Sequence, residues 1–425
     1  MSKILFKNGE VVNTARNTVD KADVLVENGL IIDVAPSIES RDFEIVDCRG
    51  LLLVPGLVDM HAHLREPGEE YKEDIRTGTT AAIHGGFVAV LSMPNTNPPS
   101  DTRSVVEYIV RRSKEEEKAD VLPCGAITKG RKGEELAELG DMMEGGAVAF
   151  SDDGNWVQSS GVMRRALEYT KFFGGIIISH PEDKTLTYRG LANESPLTIK
   201  LGLRGMPVEA ETIAIFRDIE LVRLTRGRLH LAHVSAKESI NLIKRAKEAG
   251  LNVTAEVTPH HLVFDEEVLI SYDPNYKVNP PLRTREDREA ILSALKEGII
   301  DVVATDHAPH ADFEKMDEFN AAPFGMIWLD FAFSVLYNEL VRSGKMDLPA
   351  LAKVMSTKPA ELLGLKGLGA ISKGYRASFF AYNPNVEIIV NREFLKSRAF
   401  NTPLYGKTLK GRVEWALKDG RIYRF

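Results

Sequence analysis

Two histidines separated by one residue, His61 and His63, form a pair that could bind a metal ion. They lie in the segment GLVDMHAHL, which has the apolar pattern of a buried strand. Because side chains two positions apart on a strand point the same way, both imidazoles would face the same metal ion, with Ala62 turned away. A pair of this kind alone is only a weak indication of a metal site.

Further strand-like segments also end in a histidine or an aspartate. Imidazole and carboxylate ligands without a thiolate favour zinc, and manganese or cobalt could substitute for it. A catalytic site follows, because structural zinc sites usually include cysteine and have no open coordination position. The additional candidates are Asp152 and Asp153 after AVAFS, His180 after GIIIS, His233 after LHLA and Asp306 after DVVAT.

The segments that would carry these residues alternate with helical patterns in the middle of the chain. Eight short apolar runs follow one another from about residue 56, separated by segments such as SVVEYIVRRSKEEE in which apolar residues recur at three and four positions. This alternation predicts a parallel sheet covered by helices, and eight strands predict a closed (β/α)8 barrel of the TIM type. Active sites of such barrels lie at the C-terminal ends of the strands, where the candidate ligands stand.

Both ends of the chain instead have the texture of hairpins, with short alternating runs separated by dipeptides that are typical of turns. These dipeptides are Asn8-Gly9, Asn28-Gly29 and Asp419-Gly420. Neither end is large enough for a core of its own, so we expect the two ends to pair in one small β-sandwich. The predicted division is residues 1–55 and 367–425 for the sandwich and residues 56–366 for the catalytic barrel.

Composition excludes several classes of protein. The chain has 425 residues, 44% of them hydrophobic, which is enough for a large core and excludes disorder. Its net charge of −7 and the absence of a basic stripe argue against a nucleic-acid partner. The two cysteines, Cys48 and Cys124, have no CxxC spacing and suit a reduced compartment. Without a signal-peptide pattern or 18 consecutive apolar residues, we expect a soluble cytoplasmic protein that does not bind membranes.

Motifs along nearly the whole chain occur in a familiar order. They are GLVDMHAHLREPG, MPNTNPP, ITKGRKG, FSDDG, HPED, HVSA, VNPPLR, ATDHAPH and, near the end, NTPLYGK. In content and order they resemble the bacterial dihydroorotases of class I type, in the amidohydrolase superfamily. HxHLR together with TDHAPH is highly specific, and ITKGRKG narrows the resemblance to the dihydroorotase branch.

The resemblance implies a site for one or two zinc ions, a number that stays open, in which Asp153 could bridge two metals. It also implies that Asp306 is both a ligand and the catalytic carboxylate. The implied metal ligands are His61, His63, Asp153, His180, His233 and Asp306, and the implied substrate contacts are His63, Leu64, Arg65, Asn95, Asn279, His310, Phe324 and Gly325.

The activity implied is that of a hydrolase acting on cyclic amides: reversible cyclisation of N-carbamoyl-L-aspartate to L-dihydroorotate and water, in pyrimidine (UMP) biosynthesis. In the hydrolytic direction a zinc-activated water would attack the ring amide, and Asp306 would carry the proton to the leaving nitrogen. Arg65 would pair with the substrate carboxylate. The segment 310–326 is long for a barrel loop, and we hypothesise that it closes over the substrate.

Partners and rival functions stay open at this point. We expect a homodimer, and a complex with aspartate transcarbamoylase is an open alternative. A hydantoinase or allantoinase would share the barrel, but those enzymes usually bridge their metals with a carboxylated lysine, and GAVAFSDDG contains none. An inactive dihydroorotase-like scaffold for aspartate transcarbamoylase would lack several ligands, whereas this chain has all six. Structural roles are expected for His84, His260, His261 and His307, and His230 is expected to face away from His233.

Overall fold

The computed structural model describes residues 3–39 and 43–425 of the chain. The strands are β1 (Ile4–Asn13), β2 (Thr18–Glu27), β3 (Leu30–Ala35), β4 (Glu44–Asp47), β5 (Leu52–Pro55), β6 (Leu57–Ala62), β7 (Phe87–Ser92), β8 (Asp120–Gly125), β9 (Ala149–Ser151), β10 (Ile177–Ser179), β11 (Ala192–Asn193), β12 (Gly205–Met206), β13 (Leu229–Leu231), β14 (Val253–Val257), β15 (Val302–Val303), β16 (Phe379–Ile389), β17 (Thr408–Lys418) and β18 (Arg421–Arg424). The α-helices are α1 (Ile75–His84), α2 (Arg103–Glu116), α3 (Leu139–Gly145), α4 (Ser160–Thr170), α5 (Pro196–Lys200), α6 (Glu209–Thr225), α7 (Lys237–Glu248), α8 (Pro259–Val263), α9 (Arg285–Lys296), α10 (Asp312–Lys315), α11 (Ala332–Leu336), α12 (Leu348–Ala352) and α13 (Lys358–Leu362).

Eight parallel strands, β6 to β10 and β13 to β15, form the barrel, and their order around it follows the sequence. A parallel bridge between Ala62 and His307 brings the last strand segment back to the first. All residues of β6 and β7 are buried, as expected for a parallel sheet with helices outside and side chains inside. The predicted (β/α)8 barrel is confirmed, and it gathers eight strand ends at one face.

The helices around the barrel present an apolar stripe to the sheet. In α7 the buried residues Ile240, Ile243 and Ala246 recur at intervals of three and therefore lie on one face. At the start of α1 the Asp74 carboxylate accepts a hydrogen bond from the Thr77 amide at 2.7 Å, which caps the helix. None of the helices in the described part of the chain is long and apolar enough to cross a membrane.

The two ends of the chain pair with each other, as predicted for the β-sandwich, and their strands form one further sheet. Strand β16 pairs antiparallel with β5, so the C-terminal segment continues the N-terminal sheet, and β17 and β18 extend it. This sheet surrounds a small core of its own, in which the rings of Phe6, Phe379 and Trp415 lie with centroids 5.0 to 5.9 Å apart. The exact domain limits stay a prediction.

Two of the three predicted turns, at residues 28–29 and 419–420, join neighbouring strands. The third prediction is wrong, because Asn8 and Gly9 lie inside β1, where the register against β2 shifts between Phe6 and Gly9. Asn8 has a φ of 63°, so the pair forms a bulge that uses the same left-handed backbone as a turn.

Candidate active site

The six predicted metal ligands converge at the carboxyl face of the barrel, and all six are buried. Each comes from the end of a strand or from the first residues after it. His61 lies in β6 and His63 directly after it, Asp153 comes after β9, His180 after β10, His233 after β13 and Asp306 after β15. Residues up to 245 positions apart in the chain therefore share one site only because the barrel closes.

Asp153 lies at the centre of this cluster. Its Oδ1 atom is 3.2 Å from His61 Nε2 and 3.5 Å from His180 Nδ1. The same oxygen lies 3.8 Å from His233 Nε2, and Oδ2 lies 3.6 Å from His63 Nε2. One carboxylate thus faces four imidazoles from three strand ends, which is the position expected of a bridging ligand.

Asp306 completes the part of the cluster next to β6. Its Oδ1 atom is 3.1 Å from His63 Nε2 and 3.6 Å from His61 Nε2. Burial alone would raise the pKa of Asp306, but His61 and His63 lower it well below its usual range. Burial would likewise raise the pKa of Asp153, but its histidine neighbours lower that pKa strongly. Both carboxylates are therefore ionised, which is the form that binds a cation.

The backbone at Asp306 is left-handed, with φ of 47°. Asp59, a buried residue of β6, stabilises the backbone before Asp306, where the last barrel strand meets the first. The Asp59 carboxylate accepts hydrogen bonds from the Thr305 amide at 2.8 Å, from the Thr305 hydroxyl and from the His61 amide at 3.2 Å. One carboxylate thereby fixes the strand ends that present His61 and Asp306, and it stabilises a backbone conformation that is costly for a non-glycine residue.

Several ligand atoms in the cluster lack ordinary partners. His61 Nε2, Asp153 Oδ1 and His233 Nδ1 are buried and have no hydrogen bond within residues 3–39 and 43–425. Such unpaired buried polar atoms are rare, and a bound cation would satisfy them. Two triplets of side chains offer atoms close enough to share one ion, namely His61 with Asp153 and His233, and His61 with His63 and Asp306. The residues therefore fit a divalent metal.

Glu256 orients His61, and its position in the sequence did not reveal this. The carboxylate is fully buried and lies 2.7 Å from His61 Nδ1 and 3.0 Å from His230 Nε2. Metal-binding histidines commonly donate their second ring N–H to such a group, which fixes the ring and its tautomer. An acidic residue inside the apolar strand NVTAEVT was the available signal.

Glu182, in the HPED motif, orients His180 in the same way. Its Oε2 atom lies 2.9 Å from His180 Nε2 and accepts a hydrogen bond from Asn279 Nδ2 at 3.0 Å. His180, opposing the effect of burial, lowers the pKa of Glu182 to about 2. Asn95 orients His63, whose Nδ1 lies 2.8 Å from Asn95 Oδ1. Two predicted substrate contacts thus also support the metal ligands.

A cavity of about 510 Å³ opens beside the ligand cluster. It is lined by seven of the eight predicted substrate contacts, namely His63, Arg65, Asn95, Asn279, His310, Phe324 and Gly325. Leu64 differs from the prediction. Its side chain is fully buried in the core, and a β-carbon added at Gly78 of α1 would lie 2.6 Å from its Cδ2 atom. Lys184, Tyr188 and Arg189 also line the cavity and were not predicted.

Arg65 presents a buried guanidinium to the cavity. Its Nε donates a hydrogen bond to the Pro309 carbonyl at 3.1 Å, and its Nη1 lies 3.8 Å from Glu69. Neither terminal nitrogen has a hydrogen-bond partner in the described chain, so both can pair with an anionic ligand.

The histidines expected to be structural make contacts outside the ligand cluster. His84 Nδ1 lies 2.8 Å from Asp330, and His307 Nδ1 accepts a hydrogen bond from the Trp328 amide at 3.0 Å. His260 accepts from the Trp328 indole at 3.1 Å, and His261 lies 3.1 Å from the Pro280 carbonyl. These contacts agree with the predicted structural roles.

Known proteins resemble this chain over nearly its whole length. A family model described as Dihydro-orotase-like matches residues 50–239. The dihydroorotase of Carboxydothermus hydrogenoformans is 48% identical over 408 residues, which cover 96% of this chain and 95% of that protein. The dihydroorotase of Aquifex aeolicus is 45% identical over 423 residues and 99% of both chains. The chain belongs to the dihydroorotase family.

Solved structures share the fold of this dihydroorotase-family chain. L-Hydantoinase (dihydropyrimidinase) from Arthrobacter aurescens superposes with a TM-score of 0.88 over 99% of this chain and 96% of that one, at 23% identity. Dihydropyrimidinase from Brevibacillus agri gives a TM-score of 0.84 at 25% identity, over 99% of this chain and 94% of its own. At such identities the likeness concerns the common architecture of barrel and end sheet.

Proposed function

We propose that the chain catalyses the dihydroorotase reaction, the reversible cyclisation of N-carbamoyl-L-aspartate to L-dihydroorotate and water. The observation that carries the proposal is the position of Asp153 and Asp306 among four buried imidazoles, beside a cavity into which Arg65 faces. A cyclic amide with a carboxylate substituent needs both parts of this arrangement, a metal-assisted centre for the amide and a cation for the carboxylate.

The metal we assign to the site is zinc, because the ligand set is imidazole and carboxylate without thiolate. Zinc in this position supplies a Lewis acid that activates water and polarises the amide carbonyl. Asp153 could serve one or two ions, since its Oδ1 atom faces His61 and its Oδ2 atom faces His63. The residues that would hold the metal are His61, His63, Asp153, His180, His233 and Asp306.

Asp306 is the group we assign to proton transfer. Its carboxylate is ionised and lines the cavity, where it can take a proton from the attacking water. It can then deliver that proton to the ring nitrogen as the amide bond breaks. In the synthetic direction the same carboxylate removes a proton from the carbamoyl nitrogen that attacks the side-chain carboxyl group, and it returns the proton to the departing water.

We assign substrate orientation to four other residues that line the cavity, Arg65, Asn95, Asn279 and His310. The Arg65 guanidinium can hold the carboxylate with two parallel hydrogen bonds, and the side-chain amides of Asn95 and Asn279 can hold the ring polar groups. His310 donates a hydrogen bond through Nε2 to the Phe324 carbonyl at 2.8 Å. Its Nδ1 lies 3.6 Å from Glu314 Oε2 and has no hydrogen bond in the described residues, so it could bond a ligand.

The setting of the reaction is also part of the proposal. We place it in the cytoplasm, in the de novo pathway to UMP, and we expect a homodimer. A complex with aspartate transcarbamoylase stays a prediction, to be tested by mixing the two purified proteins and measuring their mass in solution.

The decisive experiment combines metal analysis with ultraviolet assays on dihydroorotate, hydantoin and allantoin, before and after chelation. We expect turnover of dihydroorotate, its loss on chelation and its recovery when zinc is returned. Turnover of hydantoin without turnover of dihydroorotate would assign the chain to the hydantoinase alternative instead. A metal-loaded protein that turns over none of the three would favour the scaffold role.

A further inference from the structure

The wall of the cavity that carries Phe324 and Gly325 belongs to an irregular part of the chain. Residues 316–325, called here the wall segment, follow α10 and contain neither helix nor strand. Buried backbone carbonyls in such a segment need partners that regular structure does not provide. The partners they find here come from two lysines.

Lys277 supplies most of these bonds. Its ammonium donates hydrogen bonds to the carbonyls of Phe319 at 2.7 Å, Asn320 at 3.1 Å and Ala322 at 2.6 Å. An ammonium group has three hydrogens, so these three bonds use all of them. The Lys277 carbonyl in turn accepts a hydrogen bond from the Gly325 amide at 2.8 Å. One residue therefore holds both ends of the turn that leads into the cavity.

Lys315 holds the same segment from the side of α10. Its ammonium donates to the Pro323 carbonyl at 2.7 Å and to the Pro274 carbonyl at 2.9 Å, and the latter links the wall segment to the chain that leads to Lys277. Both lysines are buried, with exposed fractions of 2% for Lys277 and 7% for Lys315.

These two ammonium groups are unusual because carbonyls alone satisfy them. No carboxylate within residues 3–39 or 43–425 lies in ion-pair distance of either Nζ atom. Burial and then Arg204 lower the pKa of Lys277 to about 8, so its ammonium form predominates at pH 7. Burial and then Lys277 lower the pKa of Lys315 to about 7, so Lys315 is partly charged at that pH. Burying a charge without a counter-charge is costly, and an apolar residue would fill the space without that cost. This cost indicates that the hydrogen bonds from the two lysines serve to hold the wall segment in place.

The contacts of Phe324 link this arrangement to the substrate side of the cavity. The Lys277 ammonium lies 4.8 Å from the centroid of the Phe324 ring, and the Phe324 carbonyl accepts the hydrogen bond from His310. Lys277 is also two residues before Asn279, which lines the same cavity. A shift of the wall segment would therefore move Phe324, Gly325 and His310 together.

We propose that Lys277 and Lys315 are positioning residues for substrate binding, which fix the wall segment so that Phe324, Gly325 and His310 are in place before the ligand arrives. The ligand's identity rests on the proposed function, whereas the fixing of the segment does not. Neither lysine touches the metal ligands, so the effect is on binding rather than on metal content. Preorganised contacts of this kind raise affinity because little order is lost when the ligand binds.

The test uses Lys277→Met and Lys315→Met in the zinc-loaded protein at pH 7, with the exposed Lys366→Met as the matched control. For Lys277→Met we expect KM for dihydroorotate to rise about tenfold, a factor equivalent to about 1.4 kcal/mol. The change in kcat is expected to stay within about threefold, and Lys315→Met should show a smaller rise in KM because it loses fewer bonds. Zinc content and the control variant should match the wild type.

Hydrogen exchange in the ligand-free protein supplies a readout that does not depend on activity. Faster exchange at residues 319–325 in both variants, with unchanged exchange in the barrel strands, is the expected result. Wild-type KM together with wild-type exchange in either folded variant would overturn the proposal, so Lys315→Met decides if Lys277→Met does not fold. A wild type that fails to turn over dihydroorotate would refute the proposed function, while the exchange data would still decide the role of the lysines.

Discussion

The two sides of the cavity are held in place by different means. On the metal side, the ligands stand at strand ends and are oriented by other side chains, as His61 is by the buried Glu256. On the substrate side, Arg65 and His310 lie on loops and are oriented by backbone carbonyls, those of Pro309 and Phe324. Substitutions on the metal side should therefore affect metal binding and kcat, and substitutions on the substrate side should affect KM.

Asp306→Asn changes the metal side at the residue that we assign to proton transfer. We expect kcat to fall by about 10²- to 10⁴-fold, because the amide cannot accept a proton at neutral pH. The ultraviolet assay on dihydroorotate measures this, with zinc content determined in the same samples. Asp312→Asn, at an exposed aspartate paired with Arg392, is the control. A loss of less than tenfold would remove Asp306 from the role of proton carrier.

Arg65→Met attacks the substrate side. Loss of charged hydrogen bonds to the substrate carboxylate should raise KM by about 100-fold, while zinc content stays at the wild-type value. Steady-state kinetics and metal analysis on one preparation separate the two effects. The exposed Arg223→Met serves as the control. An unchanged KM would mean that Arg65 is only part of the barrel rim.

Glu256→Gln changes a residue of the metal side that orients a ligand and is not itself a ligand. A glutamine offers one acceptor oxygen where two histidine rings, those of His61 and His230, each need one. We expect zinc affinity to fall by about 10- to 100-fold, measured by competition with a chromophoric chelator. KM at saturating zinc should stay close to wild type, as should both quantities in the exposed Glu220→Gln. A raised KM with normal zinc affinity would contradict the division between the two sides.

Leu64→Ala is expected to have the smallest effect on catalysis. Because this side chain packs against α1 and not in the cavity, the folded variant should keep KM and kcat within about twofold of wild type. Thermal or denaturant unfolding should instead show a loss of about 2 to 5 kcal/mol, the usual result of truncating a buried leucine. Leu224→Ala, at a leucine that is 60% exposed, should be nearly neutral in both measurements. A selective rise in KM for Leu64→Ala would restore the predicted role in substrate binding.

Much of the architecture could be predicted because local pattern and tertiary role agree. Eight apolar runs indicated eight barrel strands, and all eight occur. The error at Asn8 has a local cause, since a left-handed backbone at this residue serves a bulge as well as a turn. The family resemblance included Leu64 among the substrate contacts. Its neighbours His63 and Arg65 line the cavity, whereas its own side chain packs against α1, a contact that only the tertiary structure shows.

By itself, the sequence determined which chemical groups stand at the ends of the strands, because apolar patterns locate strands and residue types define ligands. The tertiary structure was needed to show which side chains orient the metal ligands and which hold the loops of the cavity. Glu256 and His61 are 195 positions apart, and Lys277 reaches carbonyls more than 40 positions away. The physical reason is that hydrogen bonds act over about 3 Å, so they depend on barrel closure and loop paths that no local pattern encodes.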